Sequence, residues 1–139
     1  MDELSHSDSS LELLRRAWEI ATLAQHDQVH FLDYFLALME NEDTRRFLEA
    51  AGFPYEELLQ QIALYQKSVG PSRADGFASP YSLGVRSLID YADKLETTSV
   101  SAISHWRAIA FFDEPKIRTL IDRLPFPIDE IRRFLQEPP

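Results

Sequence analysis

Nearly the same phrase occurs twice in this sequence, and that repetition limits the possible folds more than any other feature. Residues 53–58 read FPYEEL and residues 126–131 read FPIDEI. In each phrase an aromatic residue and an aliphatic residue five positions later can staple a helix start. Two carboxylates fall in the first turn, where the helix dipole favours negative charge. Proline suits an opening position because the first N–H groups of a helix have no intrahelical acceptor. Each phrase therefore predicts a helix start.

The rest of the chain follows the same repeat. Sliding the sequence by 71 residues superimposes Ala21 on Ala92, Val29 on Val100, Phe35 on Trp106, Ala37 on Ala108 and Leu38 on Ile109. A two-residue adjustment then superimposes the two FP phrases. One four-helix unit leaves an apolar face uncovered, and a second copy rotated against it can cover both faces. We therefore predict an all-α fold in which two pseudo-symmetric four-helix repeats pack into one globular domain.

The first repeat, about residues 9–65, begins with an amphipathic helix and a wholly apolar one. Residues 9–12 have the spacing of a capping box. The predicted buried face of this first helix consists of Leu11, Leu14, Trp18, Ala21 and Ala24. Residues 31–39 are apolar on all sides, which predicts a buried central helix too short to cross a membrane.

The remaining helices follow the same order in both repeats. A third helix over residues 45–51 can be closed by Gly52 in a left-handed conformation, and FPYEEL starts a fourth. Residues 66–80, QKSVGPSRADGFASP, lack a sustained apolar period and predict a linker. The second repeat, about residues 81–136, opens with an apolar stripe formed by Val85, Leu88, Ile89, Ala92 and Leu95.

Composition narrows the functional classes. The 139 residues, 45% of them hydrophobic and 12% aromatic, suffice for one domain with its own core. A formal charge of −9 would repel a phosphate backbone, so we expect no nucleic-acid partner. The absence of cysteine excludes disulfides and thiolate metal sites. Because neither a secretion signal nor a membrane-spanning segment is present in the sequence, we expect a soluble, cytoplasmic protein with no membrane partner.

Taken together, the doubled motifs resemble the N-terminal domain of the Clp ATPases, the AAA+ unfoldases and disaggregases. Each half of that domain has a helix with small residues, a helix of the type T-x-E-H-L-L-L-A-L, and a later L-x-x-x-G-V-D-x-x-x-L. The corresponding segments here are L-x-x-A-x-x-x-A at 14–21, HFLDYFLAL at 30–38, FLEAAGFPYEEL at 47–58, V-S with A-I within 100–109, and LIDRLPFPIDEI at 120–131. The resemblance spans about residues 9–136.

The resemblance implies a function in protein recognition. Domains of this family are non-catalytic modules that receive substrates or adaptor proteins for an ATP-driven unfoldase, and they need no cofactor. The chain departs from the family at Asp33 and Ser104, where His or Asn is common, and at Pro54 and Pro127, where a capping Asp is usual. It contains no G-x-x-x-x-G-K-[ST] phosphate-binding loop. It is either a free-standing relative or the N-terminal piece of a larger ATPase, and the sequence leaves both open.

Candidate contact residues follow from this resemblance and from expected exposure. Adaptors of the family dock mainly on the first repeat and its edge, which indicates the charged surface formed by Glu40, Glu42, Asp43 and Arg46. Three aromatic residues at or beyond the linker are further candidates for protein contacts: Phe77, Tyr81 and Trp106. The partners expected here are an adaptor or an unfolded, degron-bearing substrate, together with an AAA+ unfoldase. We predict no catalytic residue and no metal site.

Two alternatives remain open. His26-Asp27-x-x-His30 resembles the zinc-protease spelling H-E-x-x-H, and Asp33 could supply a third ligand for a metal-dependent hydrolase. That chemistry needs both imidazoles on one face of a continuous helix, whereas this segment lies at a predicted turn. The other alternative is a stand-alone regulator that competes with an unfoldase's own N-terminal domain.

Overall fold

The structure is a computed structural model that describes residues 5–6, 8–69, 81–95 and 99–135. Over these ranges the elements are β1 (Ser5–His6), α1 (Asp8–Leu23), α2 (Phe31–Glu40), α3 (Glu42–Ala50), α4 (Tyr55–Ser68), α5 (Leu83–Leu95), β2 (Ser99–Val100), α6 (Ala102–Phe111), α7 (Pro115–Asp122) and α8 (Ile128–Phe134). The predicted all-α class is confirmed, with one short parallel pairing of β1 and β2 added to it. No helix in the described ranges is long and apolar enough to span a membrane.

Both FP phrases start helices, as predicted. Pro54 and Pro127 are the N-cap residues of α4 and α8, with similar dihedrals of φ −77°, ψ 81° and φ −80°, ψ 66°. Two acidic residues follow in the first turn of each helix. Gly52 has the predicted positive φ, 86°, and the N–H of Phe53 beyond it donates to the Leu48 carbonyl. This closure of α3 directs the chain into α4.

The two central helices are capped in the same way. The Asp33 carboxylate accepts the backbone N–H of His30 at 3.1 Å, before α2. The Ser104 hydroxyl accepts the backbone N–H of Ser101 at 3.0 Å, before α6. These two pairs are related by the 71-residue repeat, so two different side chains perform the same capping role.

Equivalent positions of the two repeats contact each other. The Tyr34 hydroxyl lies 2.6 Å from His105 Nδ1, and the ring centroids of Phe35 and Trp106 are 5.5 Å apart. In each pair the second residue is the 71-residue counterpart of the first. Contacts between like positions are expected where two similar units are related by a twofold rotation. Helices α2 and α6 therefore meet at the pseudo-twofold axis, in the centre of the core.

Backbone pairing at the edge follows the same symmetry. Val29, in the turn before α2, bridges to Tyr81 just before α5. Its counterpart Val100, in the turn before α6, pairs with His6 just before α1. In each repeat, the backbone just before the central helix thus pairs with the backbone just before the first helix of the other repeat.

The buried face of α1 differs from the prediction. Its buried residues are Ser10, Leu13, Ala17, Ile20 and Ala21, whereas Leu11 is 54% and Trp18 39% exposed. Helix α1 carries two overlapping apolar stripes, and α2 covers the one containing Leu13 and Ala17. The Ser10 hydroxyl lies 2.9 Å from His105 Nε2, and this buried hydrogen bond favours the observed rotation of α1.

The start of the predicted linker is helical. Helix α4 continues to Ser68. The buried Gln66 side chain donates to Asp33 Oδ1 at 2.9 Å, which ties the last turn of α4 to α2. Residues 70–80 lie outside the described ranges, so the rest of the predicted linker and the other repeat boundaries remain predictions.

Candidate functional site

A groove of about 890 Å³ lies where the ends of several helices meet. Its lining comes from the starts of α2 and α5, the end of α4 and the length of α7. Its lining residues are His26, His30, Phe31, Leu32, Tyr65, Val69, Ser82, Leu83, Gly84, Ser87, Glu114, Lys116, Ile117, Leu120 and Arg123. The groove draws on both repeats, since α2 and α4 belong to the first and α5 and α7 to the second.

Three of the large hydrophobic side chains that remain exposed line this groove. Val69 is 40%, Leu83 54% and Leu120 40% exposed. Isolated exposed hydrophobic residues are ordinary, but several that converge on one concavity are typical of a binding surface. Because they come from α5, α7 and the C-cap of α4, the packing of the repeats, rather than one local segment, creates the apolar surface.

Groove residues were not among the predicted contacts. Leu120 lies in the third helix of the second repeat, and Leu83 lies three residues beyond the predicted linker. No signal in the sequence separates Leu120 from Ile117 and Ile121, because the spacing i, i+3 and i+4 places all three on one side of a helix. Ile117 and Ile121 are buried, and Leu120 faces solvent.

One end of the groove contains the histidines of the metal-hydrolase alternative. His26 Nδ1 lies 2.7 Å from Asp33 Oδ2, and both side chains are buried. The same carboxylate caps α2 and accepts from Gln66, so its oxygens serve hydrogen bonds within the fold. Asp27 is exposed, and His30 meets His26 edge to face at 5.4 Å between centroids. Among the described residues no group of three or more His, Cys, Asp or Glu side chains is placed to hold a metal ion.

The predicted charged surface forms a second, separate concavity. It has a volume of about 600 Å³, lies between α1, the end of α2 and the start of α3, and is lined in part by Glu40, Glu42, Asp43 and Arg46. Arg16 Nε pairs with Glu40 at 2.7 Å, and Arg46 lies 3.7 Å from Glu42. We name this concavity, with the further acidic residues Asp8 and Glu12 in its lining, the acidic notch.

The predicted aromatic contacts have different outcomes. Trp106 is completely buried, so the prediction that it contacts a partner is wrong. Its indole N–H donates to Thr44 Oγ1 at 2.9 Å, and its ring stacks on Phe126 at 5.4 Å between centroids. Tyr81 is half-buried, and burial raises the pKa of its hydroxyl. Phe77 lies outside the described residues.

Comparisons with known proteins identify the fold. A scan against protein-family models and a search of curated protein sequences found no match. Among solved structures, the crystal structure of the Hsp104 N-terminal domain from Candida albicans is similar to 95% of this chain. The similarity covers 88% of that chain, with a TM-score of 0.70 and 12% sequence identity. The chain therefore has the fold of a Clp-type N-terminal domain.

Proposed function

We propose that this chain is a non-catalytic protein-binding module of the cytoplasm that docks substrates or adaptor proteins for an ATP-dependent Clp unfoldase. The observation that carries the proposal is the groove with its exposed Val69, Leu83 and Leu120. An apolar surface of this kind gains free energy when a protein segment covers it. The fold shared with the Hsp104 N-terminal domain agrees with a role beside an unfoldase.

The acidic notch supports a second contact within the same function. Acidic side chains outnumber basic ones in its lining, with Arg16 and Arg46 as the bases. A basic adaptor would be steered toward such a surface. We propose that the groove takes apolar segments and the acidic notch contributes to adaptor docking through Glu40, Glu42, Asp43 and Arg46. Tyr81 remains a candidate contact beside the groove.

A pair of leucine variants tests the groove. The probe is a fluorescent peptide of about 14 residues with a leucine-rich centre, and the readout is fluorescence anisotropy. Leu83→Glu should weaken binding about 10-fold or more, because covering one leucine contributes roughly 1.5–3 kcal/mol. Leu64→Glu is the matched control, because Leu64 is 69% exposed on α4 and does not line the groove. Equal losses in both variants, or no binding at all, would contradict the proposal.

A further inference from the structure

Helix α7 presents a specific chemical pattern to the groove. Lys116, Leu120 and Arg123 are spaced i, i+4 and i+7, so they share one face, and all three line the groove. Seven residues of helix rise by about 10 Å, which places the two cations on either side of the apolar Leu120. This wall of the groove is therefore an apolar contact flanked by two positive charges.

Both cations are available to an external carboxylate. Neither Lys116 nor Arg123 forms an ion pair with any residue in the described ranges. Several other cations are paired, such as Arg45 with Glu49 at 3.1 Å and Arg86 with Asp90 at 3.2 Å. A surface with free cations, in a chain that has many more acidic than basic residues, is selective for negative charge.

The other charges in the groove do not cancel this potential. Glu114 is the acidic side chain of the lining, and its Oε2 caps α7 by accepting the Ile117 N–H at 2.9 Å. The starts of α2 and α5 add positive dipole ends to the groove, whereas the end of α4 and the end of α7 at Arg123 add negative ones, so the helix ends largely balance. The side chains of Lys116 and Arg123 therefore set the preference of the groove for negative charge.

From these contacts we infer that the groove takes an apolar segment of another protein in which Asp or Glu side chains flank the apolar residues. The apolar residues cover Val69, Leu83 and Leu120, and the flanking carboxylates pair with Lys116 and Arg123. This inference rests on the proposed protein-binding function and specifies which segments the groove selects. The net charge of −9 opposes an acidic partner at long range. At about 0.15 M salt that repulsion is screened beyond roughly 8 Å, so the charges of the groove decide the preference.

Three peptides with one apolar centre test this selectivity. Their flanks carry Glu, Gln or Lys, and their affinities for the full chain are measured at about 0.15 M salt. We expect the Glu-flanked peptide to bind roughly 3–10-fold more tightly than the Gln-flanked one, as two partly exposed ion pairs allow. In the double variant Lys116→Glu with Arg123→Glu, the Lys-flanked peptide should bind most tightly. The control with the same change in charge is Lys94→Glu with Arg133→Glu, exposed residues outside the groove, and it should keep the original order.

The outcomes separate this inference from the proposed function. If all three peptides bind equally and Leu83→Glu abolishes binding, the groove binds proteins but the charge preference is wrong. Tightest binding of the Lys-flanked peptide to the unmodified chain also overturns the preference. If no peptide binds, both proposals fail. Sedimentation gives the last outcome. If the chain is a dimer, and Lys116→Glu with Arg123→Glu dissociates it, the occupant of the groove is a second copy of this chain and the inference is overturned.

Discussion

Replacing Thr44 by valine removes one hydroxyl from the boundary between the two repeats. Thr44 Oγ1 accepts the Trp106 indole N–H at 2.9 Å, and both residues are completely buried. Valine has nearly the same shape and a similar helix propensity, so the substitution leaves no cavity and hardly changes α3. The indole N–H, however, is left without an acceptor. A buried, unsatisfied donor costs about 1–3 kcal/mol, so Thr44→Val should lower the free energy of unfolding by that amount.

A double-mutant cycle isolates this hydrogen bond. In a Trp106→Phe background the donor is absent, and Thr44→Val should cost less than about 0.5 kcal/mol, because replacing both partners of a hydrogen bond by apolar groups is nearly neutral. Urea unfolding followed by far-ultraviolet circular dichroism gives all four free energies. An equal cost of Thr44→Val in both backgrounds would refute the reasoning, because it would mean that α3 does not meet the indole of α6.

Three further perturbations test the closures, the core and the acidic notch. Gly52→Ala should destabilise the fold by about 1–2 kcal/mol because Gly52 has φ 86°, and the cost is one of backbone conformation, since nothing lies within 4 Å of the added methyl group. Gln25→Gly, at φ 62°, should instead raise the free energy of unfolding in the same urea assay. Burial raises the pKa of Tyr34 well above its ordinary value of 10.0. The protonated phenol therefore contributes its full stability below about pH 10. Above about pH 10 the free energy of unfolding should fall by up to about 1.4 kcal/mol per pH unit. A free energy of unfolding that does not change above pH 10 would contradict the burial of Tyr34. Glu42→Lys with Asp43→Lys should weaken anisotropy-detected binding of a lysine-rich peptide about 2–10-fold at low salt, and unchanged affinity would remove the acidic notch from the proposed function.

The order of the helices was predictable because it depends on local signals. FPYEEL and FPIDEI place a staple, a proline and two carboxylates within six residues, and both start helices. Gly52 likewise acts through its own backbone. The 71-residue repeat also predicted which positions are equivalent, and the contact between Phe35 and Trp106 is a direct consequence of that equivalence.

Burial was less predictable because it depends on packing between helices, both within a repeat and between the two repeats. Trp18 and Leu13 both lie on apolar stripes of α1, and only the packing against α2 decides that Leu13 is covered. His105 is a polar residue within a largely apolar helix, and Trp106 was a predicted protein contact. Each is buried because a partner from the first repeat, Tyr34 or Thr44, completes its hydrogen bond.

The groove was missed for the same reason. Its three exposed hydrophobic residues, Val69, Leu83 and Leu120, are far apart in sequence and come together only when the repeats pack. The acidic notch was easier to find, since Glu40, Glu42 and Asp43 are close in sequence at the junction of α2 and α3. The sequence therefore indicated the acidic notch, whose acidic residues are close in the chain, and missed the groove, whose residues come together only in the fold.

Amide chemical-shift mapping is the most direct test of the central claim that the groove binds protein segments. The full chain, labelled with nitrogen-15, is titrated with the Glu-flanked apolar peptide at about 0.15 M salt, where long-range repulsion is screened. The account predicts that the largest shifts lie along the starts of α5 and α7, at Leu83, Gly84 and Lys116, with the exposed face of α4 at Leu64 unaffected. Shifts confined to the acidic notch, or spread evenly over the surface, would contradict it.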